Sequence, residues 1–192
     1  MIPITAVYIL WTAWFASWIV AAFWSTRAAK RPRLGAEVLY RLVIFIGALL
    51  LFGAGSYSYR RPPRLWAADV PLGRALVVLA AAGFLFCWWA RLHLGTLWSG
   101  SVTKKADHRV VETGPYAIVR HPIYTGIIAA AFATALLKGT PSALTGVAVM
   151  TLGFWIKARL EESFLRRELG CDVYDAYRRR VPMLVPFGPK AA

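Results

Sequence analysis

No ionisable side chain occurs in the stretch MIPITAVYILWTAWFASWIVAAFWST, residues 1–26. An apolar run of about 18 residues or more predicts a transmembrane helix, because about 20 residues are needed to cross the hydrocarbon core of a bilayer. We therefore place a first span at residues 4–24. The stretch lacks the basic segment that precedes the apolar part of a cleavable signal peptide, which favours a span that is retained.

The composition of the whole chain agrees with a membrane protein. Of its 192 residues, 58% are hydrophobic and only 17% are charged, whereas soluble domains carry about 25% charged residues. Four further apolar segments follow the first, at residues 42–57, 75–90, 123–137 and 142–156. The last two are joined by KGTP, a connection short enough for an antiparallel helical hairpin. The sequence thus predicts an all-α, multi-pass integral membrane protein with about five transmembrane helices and a charged C-terminal cytoplasmic helical segment.

The distribution of charge predicts an orientation. If the N-terminus lies outside, 18 of the 23 Lys and Arg residues lie in cytoplasmic loops and in the C-terminal segment, as the positive-inside rule requires. The polar stretch 91–121 and the C-terminal segment then share the cytoplasmic side, where they can form one site. Membrane topology and contact with anionic lipid headgroups account for the net charge of +14, so we predict no nucleic-acid binding.

A dense polar cluster, GPYAIVRHPIYTG (residues 114–126), stands directly before the fourth apolar segment. Pro122 suits the first turn of a helix, which makes His121 the residue at the N-cap. The unpaired N–H groups of a helix N-terminus, together with Arg120, attract a carboxylate or a phosphate. A polar cap that only reaches lipid headgroups is the alternative interpretation.

A pair of acidic residues, Glu161 and Glu162, follows the fifth apolar segment. Ionisable groups at a membrane boundary are costly unless they are paired, and they are candidates for a functional role. Lys157 and Arg159 lie at helical spacing from them and offer local ion pairs; a solvated helix face is the alternative. The three histidines and two cysteines show no metal-ligand spacing, so no metal site is predicted.

Three segments, RLHLGTLWSG, HRVVETGPYAIVRHPIYTG and RLEESFLRRELGCDVYDAYRRRVPMLVPF, closely resemble the isoprenylcysteine carboxyl methyltransferase family in their order and spacing. They are also similar to the related phospholipid methyltransferases. The resemblance covers residues 91–187. It implies an S-adenosylmethionine-dependent membrane methyltransferase that binds its cofactor between the polar loop, the last hairpin and the C-terminal tail. We also predict one domain, in which residues 1–90 form a three-helix membrane region and residues 91–192 form the catalytic region.

Carried over residue by residue, the resemblance implies cofactor-binding roles for His108, Arg109, Val110, Val111, Tyr116, His121, Pro122, Ile123, Tyr124, Glu161 and Glu162. It implies catalytic roles for Glu162 and for Arg159, with Arg159 toward the methyl acceptor. Which of the two glutamates contacts the cofactor stays open at this point.

The favoured reaction is carboxyl O-methylation of an isoprenylcysteine-like, lipophilic acceptor. A carboxylate has a pKa of about 4 and is already nucleophilic at neutral pH, and the sequence shows no dedicated base with an obvious partner. Phospholipid N-methylation is the alternative, and it would need a base for the protonated amine. A membrane reductase of the sterol-reductase type is a more distant alternative. We expect membrane lipids as partners, in a bacterial inner membrane or the endoplasmic reticulum; the oligomeric state stays open.

Overall fold

The computed structural model describes residues 2–23, 34–53, 63–95 and 110–190. Helices make up most of these residues, and none of them forms a strand. The bounds of the α-helices are α1 Pro3–Ala22, α2 Leu34–Ala48, α3 Val70–Leu94, α4 Pro122–Lys138, α5 Pro141–Leu169 and α6 Cys171–Arg180. A π-helical turn, Leu49–Gly53, continues α2, and a 3-10 turn, Gly114–Ala117, precedes α4. The prediction of an all-α fold is confirmed.

Within the described residues, three helices are long and apolar enough to cross a membrane, namely α1 over Pro3–Ala21, α3 and α5. The helix α4 is apolar but shorter. Large hydrophobic side chains are exposed on the outer faces of these helices, as lipid contact requires; examples are Phe15, Val78 and Leu85. The chain is a multi-pass integral membrane protein, and the total of five spans stays a prediction.

Two helices extend beyond the predicted apolar segments. The second begins at Leu34 rather than at residue 42, and Glu37 and Arg41 pair with each other at 2.8 Å in its added turns. The fifth apolar segment is part of one helix of 29 residues that continues to Leu169. The Lys, Arg, Glu and Leu residues of its second half favour helix, and its acidic side chains find partners on other elements, as described below.

The helices pack as two close pairs, α3 with α4 and α2 with α5. Glycines allow the backbones to approach: a Cβ on Gly83 of α3 would lie 2.5 Å from the carbonyl oxygen of Gly126 of α4. A Cβ on Gly146 of α5 would lie 2.5 Å from the backbone nitrogen of Leu51. Each pair joins a helix of the N-terminal region to one of the C-terminal region; that the chain forms one domain stays a prediction.

The predicted hairpin between α4 and α5 is present. Gly139 adopts the left-handed conformation at the C-cap of α4, with φ 60°, and Thr140 caps α5 by accepting a hydrogen bond from the backbone nitrogen of Ala143. This tight turn lies at the opposite end of α4 from its polar entrance. The second half of α5 therefore returns to that entrance, and this brings the acidic pair to the polar cluster.

Candidate active site

The entrance of α4 has the geometry that the sequence predicts. Pro122 lies in the first turn, and His121 is the N-cap residue but makes no side-chain cap hydrogen bond. The first N–H groups of a helix have no partner within the helix, and they carry partial positive charge. Because no side chain caps them here, this end of α4 is suited to a carboxylate.

The 3-10 turn Gly114–Ala117 lies between α3 and α6. Gly114 has φ +59°, and a Cβ on it would lie 2.8 Å from Cε1 of His93, so the position favours glycine. The buried ring of Tyr116 stacks on His93 with 6.4 Å between centroids. Its carbonyl accepts a hydrogen bond of 2.7 Å from the hydroxyl of Tyr177. Burial raises the pKa of Tyr116 well above its usual value, so this phenol stays neutral.

Glu162 lies among three basic side chains, two from the entrance of α4 and one from α6. Its Oε1 accepts a hydrogen bond from Nε of Arg120 at 2.7 Å and lies 3.3 Å from Nε2 of His121. Its Oε2 lies 3.3 Å from Nε of Arg178, which belongs to α6. The side chains of Arg120 and Glu162 are each only 4% exposed. Glu162 therefore links the entrance of α4 to α5 and α6.

Glu161 faces a different set of partners and is more accessible. Its Oε1 accepts a hydrogen bond of 2.6 Å from the hydroxyl of Tyr124, and its Oε2 lies 3.5 Å from Nδ1 of His121. The side chain of Glu161 is 16% exposed, against 4% for Glu162. Of the two carboxylates, Glu161 is thus the one that a ligand can reach.

His121 lies between the two carboxylates. Its ring also stacks on Tyr124, with 5.3 Å between centroids and 6° between planes. Burial favours the neutral imidazole, but the hydrogen bonds and negative charges of Glu161 and Glu162 outweigh it and raise the pKa of His121 above its usual value of 6.5. Each ring nitrogen thus faces a carboxylate, and this stabilises the protonated imidazole.

The C-terminal tail, residues 181–184, runs across the entrance of α4. Three donors of the entrance bond to its carbonyls: the backbone N–H of Arg120 to Pro182 at 2.9 Å, that of His121 to Met183 at 3.1 Å, and the hydroxyl of Thr125 to Leu184 at 2.6 Å. The guanidinium of Arg120 also donates to the carbonyls of Arg178 and Val181. The tail therefore encloses the buried side of the cluster.

The helix α6 makes polar contacts on one side and apolar contacts on the other. Asp175 accepts hydrogen bonds from Arg166 at 2.6 Å and from Arg178 at 2.9 Å, and these cations lower the pKa of Asp175. On the apolar side, Tyr174, Tyr177 and Val181 pack together with Val110, Leu165 and Leu169. This packing brings Val110, and with it the half-buried Val111, to the C-terminal elements.

The structure brings most of the predicted site residues to the entrance of α4 and the facing part of α5, namely Tyr116, His121, Pro122, Ile123, Tyr124, Glu161 and Glu162. His108 and Arg109 lie outside the described residues. Arg159 is exposed, and its guanidinium lies over the ring of Trp155, 5.7 Å from the centroid. The structure does not bring it into this cluster.

Sequence reasoning missed several partners. Arg178 pairs with both Glu162 and Asp175, although no local spacing relates it to Glu162. Lys157 lies over the ring of Tyr124, 4.9 Å from the centroid; its spacing from Glu161 was the one signal available. In the part of the chain that the structure describes, no group of three His, Cys, Asp or Glu side chains could hold a metal ion.

The segment that carries these residues matches a known family. A model of the isoprenylcysteine carboxyl methyltransferase (ICMT) family matches residues 75–167, from α3 to the last turn of α5. Over these residues the chain is similar to the ICMT family. The matched segment holds the entrance of α4 and both glutamates, so the buried cluster is part of the ICMT region of the chain.

Similarity to curated proteins agrees with the ICMT assignment. The chain is 36% identical over 103 residues to a protein-S-isoprenylcysteine O-methyltransferase of Schizosaccharomyces pombe, which covers 52% of this chain and 43% of the relative. It is 29% identical over 175 residues to methanethiol S-methyltransferase 1 of Bradyrhizobium diazoefficiens, covering 85% and 58%. It is 31% identical over 87 residues to protein-S-isoprenylcysteine O-methyltransferase B of Arabidopsis thaliana, covering 45% and 44%. The chain thus spans about half the length of these relatives.

Proposed function

We propose that this chain is an S-adenosylmethionine-dependent methyltransferase that methylates the carboxylate of an isoprenylcysteine-like, lipophilic acceptor. One observation carries the proposal: two consecutive glutamates of α5 flank His121 at the uncapped N-terminus of α4. This arrangement offers acidic and basic groups side by side in a buried cluster, as a zwitterionic ligand requires. The match of residues 75–167 to the ICMT family supports the same reaction class.

The residues present fit the amino-acid part of S-adenosylmethionine. The accessible carboxylate of Glu161 is suited to an ammonium group, and the free N–H groups of α4 are suited to a carboxylate. The rings of Tyr116 and Tyr124 offer faces that attract a cation. When bound, S-adenosylmethionine supplies a methyl group on a positively charged sulfur. In this assignment Glu161 contacts the cofactor, whereas Glu162 positions Arg120, His121 and α6.

The contacts of His121 favour an acceptor that is already an anion. An amine or a thiol must lose a proton before it attacks, whereas the two ring nitrogens of His121 already face Glu161 and Glu162. A carboxylate, with a pKa of about 4, needs no base at neutral pH. The protein then has to orient the two reactants and to exclude water. The buried Arg120–Glu162 pair and the tail exclude water at one side of the cluster.

Methylation of a small thiol is a second candidate function. The similarity to a methanethiol S-methyltransferase covers 85% of this chain, and therefore includes N-terminal helices that the ICMT model does not match. A small alkyl thiol, like the Cys side chain with its pKa of about 8.5, is mostly protonated at neutral pH, so the rate of this reaction would increase as the pH rises. O-methylation of a carboxylate would show no such rise, because the acceptor is ionised throughout.

Ligand binding by the detergent-purified chain tests the cofactor. We expect S-adenosylmethionine to bind the wild type and to bind Glu161→Gln and His121→Ala about tenfold or more weakly, as expected for loss of a hydrogen bond to a charged group. Asp172→Asn, an exposed acidic residue of α6, is the matched control and should bind like the wild type. Absence of S-adenosylmethionine binding by the wild type, or binding of NADPH alone, would overturn the methyltransferase proposal.

Transfer of a labelled methyl group then tests the acceptor. The substrates are N-acetyl-S-farnesylcysteine, a small alkyl thiol and phosphatidylethanolamine, each offered with the same donor. A base-labile ester formed with the first supports carboxyl methylation. A thioether formed only with the alkyl thiol would show thiol methylation instead. A methylated amine formed only with phosphatidylethanolamine would show phospholipid N-methylation instead.

A further inference from the structure

A second polar cluster lies between α2 and α5, next to Glu161. The ammonium of Lys157 lies over two tyrosine rings, 4.9 Å from the centroid of Tyr124 and 5.5 Å from that of Tyr40. Lys157 precedes Glu161 by one helical turn, so the two side chains share a face of α5. This places a positive charge beside the carboxylate that we assign to the cofactor, on the side formed by α2.

The helix α2 supplies buried polar groups to the same place. Tyr40 is 2% exposed and Glu37 is 7% exposed. Oε2 of Glu37 accepts a hydrogen bond of 2.8 Å from Arg41, but its Oε1 is buried without a hydrogen-bond partner among the described residues. The hydroxyl of Tyr40 lies beside Arg41, which can donate to it but cannot accept its proton. A polar ligand group between α2 and α5 would pair with the free Oε1 and accept the hydroxyl proton.

The side chains of Lys157, Tyr40 and Glu37 are together complementary to the carboxylate and the adjacent N–H group of an amino-acid-like ligand. A cation and a phenol bind a carboxylate, and a free carboxylate oxygen accepts a hydrogen bond from an adjacent N–H group. The charged side chains that border the place are Glu37 and Arg41 from α2 and Lys157 and Glu161 from α5. On α4, Tyr124 faces it.

We propose that Lys157 and Tyr40 bind the carboxylate of an amino-acid-like ligand, with Glu37 accepting its N–H group, so that α2 forms a wall of the site. The inference rests on the proposed function, since two reactants of that function carry such a group: the isoprenylcysteine-like acceptor and the methionine part of the cofactor. We assign the group to the acceptor, because Glu161 and the N-terminus of α4 already match the cofactor.

This assignment gives Lys157 the role that the family resemblance implies for Arg159. Residues two positions apart on a helix point in different directions, and here Lys157 faces the cluster while Arg159 is exposed on Trp155. Contact with two aromatic faces holds the Lys157 ammonium in place. A positioned cation of this kind orients an anionic nucleophile without taking part in proton transfer.

The test compares ligands that differ only in the carboxylate. Binding of N-acetyl-S-farnesylcysteine and of its carboxamide is measured on the detergent-purified full chain, and so is binding of S-adenosylmethionine and of its decarboxylated analogue. The variants are Lys157→Met, Lys157→Arg and Tyr40→Phe. Arg159→Met represents the competing assignment, and Arg167→Met, an exposed cation in the last turn of α5, is the matched control.

We expect Lys157→Met to weaken binding of the farnesylcysteine acid about 10- to 100-fold, the range for a lost hydrogen bond to a charged group, and to leave the carboxamide nearly unchanged. Tyr40→Phe should act in the same sense but less strongly, and Lys157→Arg should restore part of the selectivity. In transfer assays the acceptor KM should rise more than kcat falls. Arg167→Met should match the wild type.

A merely structural role of Lys157 would weaken the acid and the carboxamide equally, and that result would overturn the inference, as would a selective loss in Arg159→Met but not in Lys157→Met. If Lys157→Met weakens binding of S-adenosylmethionine but not of its decarboxylated analogue, and leaves the farnesylcysteine acid unaffected, the bound carboxylate belongs to the cofactor. That result would overturn the assignment to the acceptor. Wild-type binding of S-adenosylmethionine is read in the same assay. If it is present, only this inference fails; if it is absent, the proposed function fails as well.

Discussion

Nε of Arg120 lies 2.7 Å from Oε1 of Glu162, and the two side chains, 42 residues apart in sequence, are each 4% exposed. Removing one partner of a buried ion pair leaves an uncompensated charge and costs about 3–5 kcal/mol. We therefore expect Arg120→Met to lower the thermal unfolding midpoint in detergent by several degrees. Arg179→Met, an exposed cation of α6, should leave it unchanged. Equal midpoints for the two variants would contradict a structural role for the pair.

The two glutamates should separate into a ligand-binding and a structural residue. Glu161 is 16% exposed and Glu162 only 4%, so Glu161→Gln should weaken S-adenosylmethionine binding about tenfold with little change in unfolding midpoint. Glu162→Gln should lower the midpoint first, because it weakens the contacts with Arg120 and Arg178. Isothermal titration and thermal unfolding on the same samples check this. The reverse pattern would exchange the two roles.

The stability of the protein should depend on the protonation of His121. Its pKa is raised in the folded state because Glu161 and Glu162 outweigh the effect of burial. A group with a raised folded pKa contributes stability that is complete below its unfolded pKa, about 6.5, and that is lost as the pH rises through the folded value. Unfolding midpoints measured from about pH 6 to 9 should therefore fall more steeply for the wild type than for His121→Gln. Parallel curves would remove His121 as the cause.

The contact between α3 and α4 should not tolerate a side chain at Gly83. A Cβ there would lie 2.5 Å from the carbonyl oxygen of Gly126, and backbone cannot yield as a flexible side chain does. We expect Gly83→Ala to destabilise the protein by about 1–3 kcal/mol, as overpacking does. Gly35→Ala is the control, since nothing lies within 4 Å of its Cβ and alanine favours helix. A neutral Gly83→Ala would mean that α3 and α4 can separate.

The two native cysteines provide a test of the proposed orientation, in which the N-terminus lies outside and the site and C-terminus lie in the cytoplasm. Cys171 is exposed at the start of α6, whereas Cys87 is buried. A membrane-impermeant maleimide should therefore label Cys171 in inside-out vesicles and not in intact cells. The Cys171→Ser variant should lose the label. Labelling of intact cells would invert the topology.

Features set by neighbouring residues could be predicted from the sequence. Pro122 and His121 define the start of α4 through backbone geometry alone, and the short KGTP turn dictates an antiparallel partner. The acidic pair was found because charge at the end of an apolar run is expensive. Each of these signals lies within a few residues of the feature that it predicts.

Features set by distant partners could not be predicted. Arg178 reaches Glu162 only because α6 turns back after Gly170, and Tyr40 meets Lys157 only because α2 packs on α5. Helix geometry could, in contrast, have shown that Lys157 and Arg159 point in different directions from α5, because residues two positions apart do not share a helix face. The family resemblance had assigned the substrate contact to Arg159, which the structure leaves exposed.

The tail that bonds to Arg120 and His121 comes after all the helices that the structure describes. During synthesis at a membrane these helices emerge before the carbonyls of residues 182 and 183. The tail can therefore dock on the entrance of α4 only after α4 and α5 have been made. A chain interrupted before residue 182 would carry both glutamates with this side of the cluster still open.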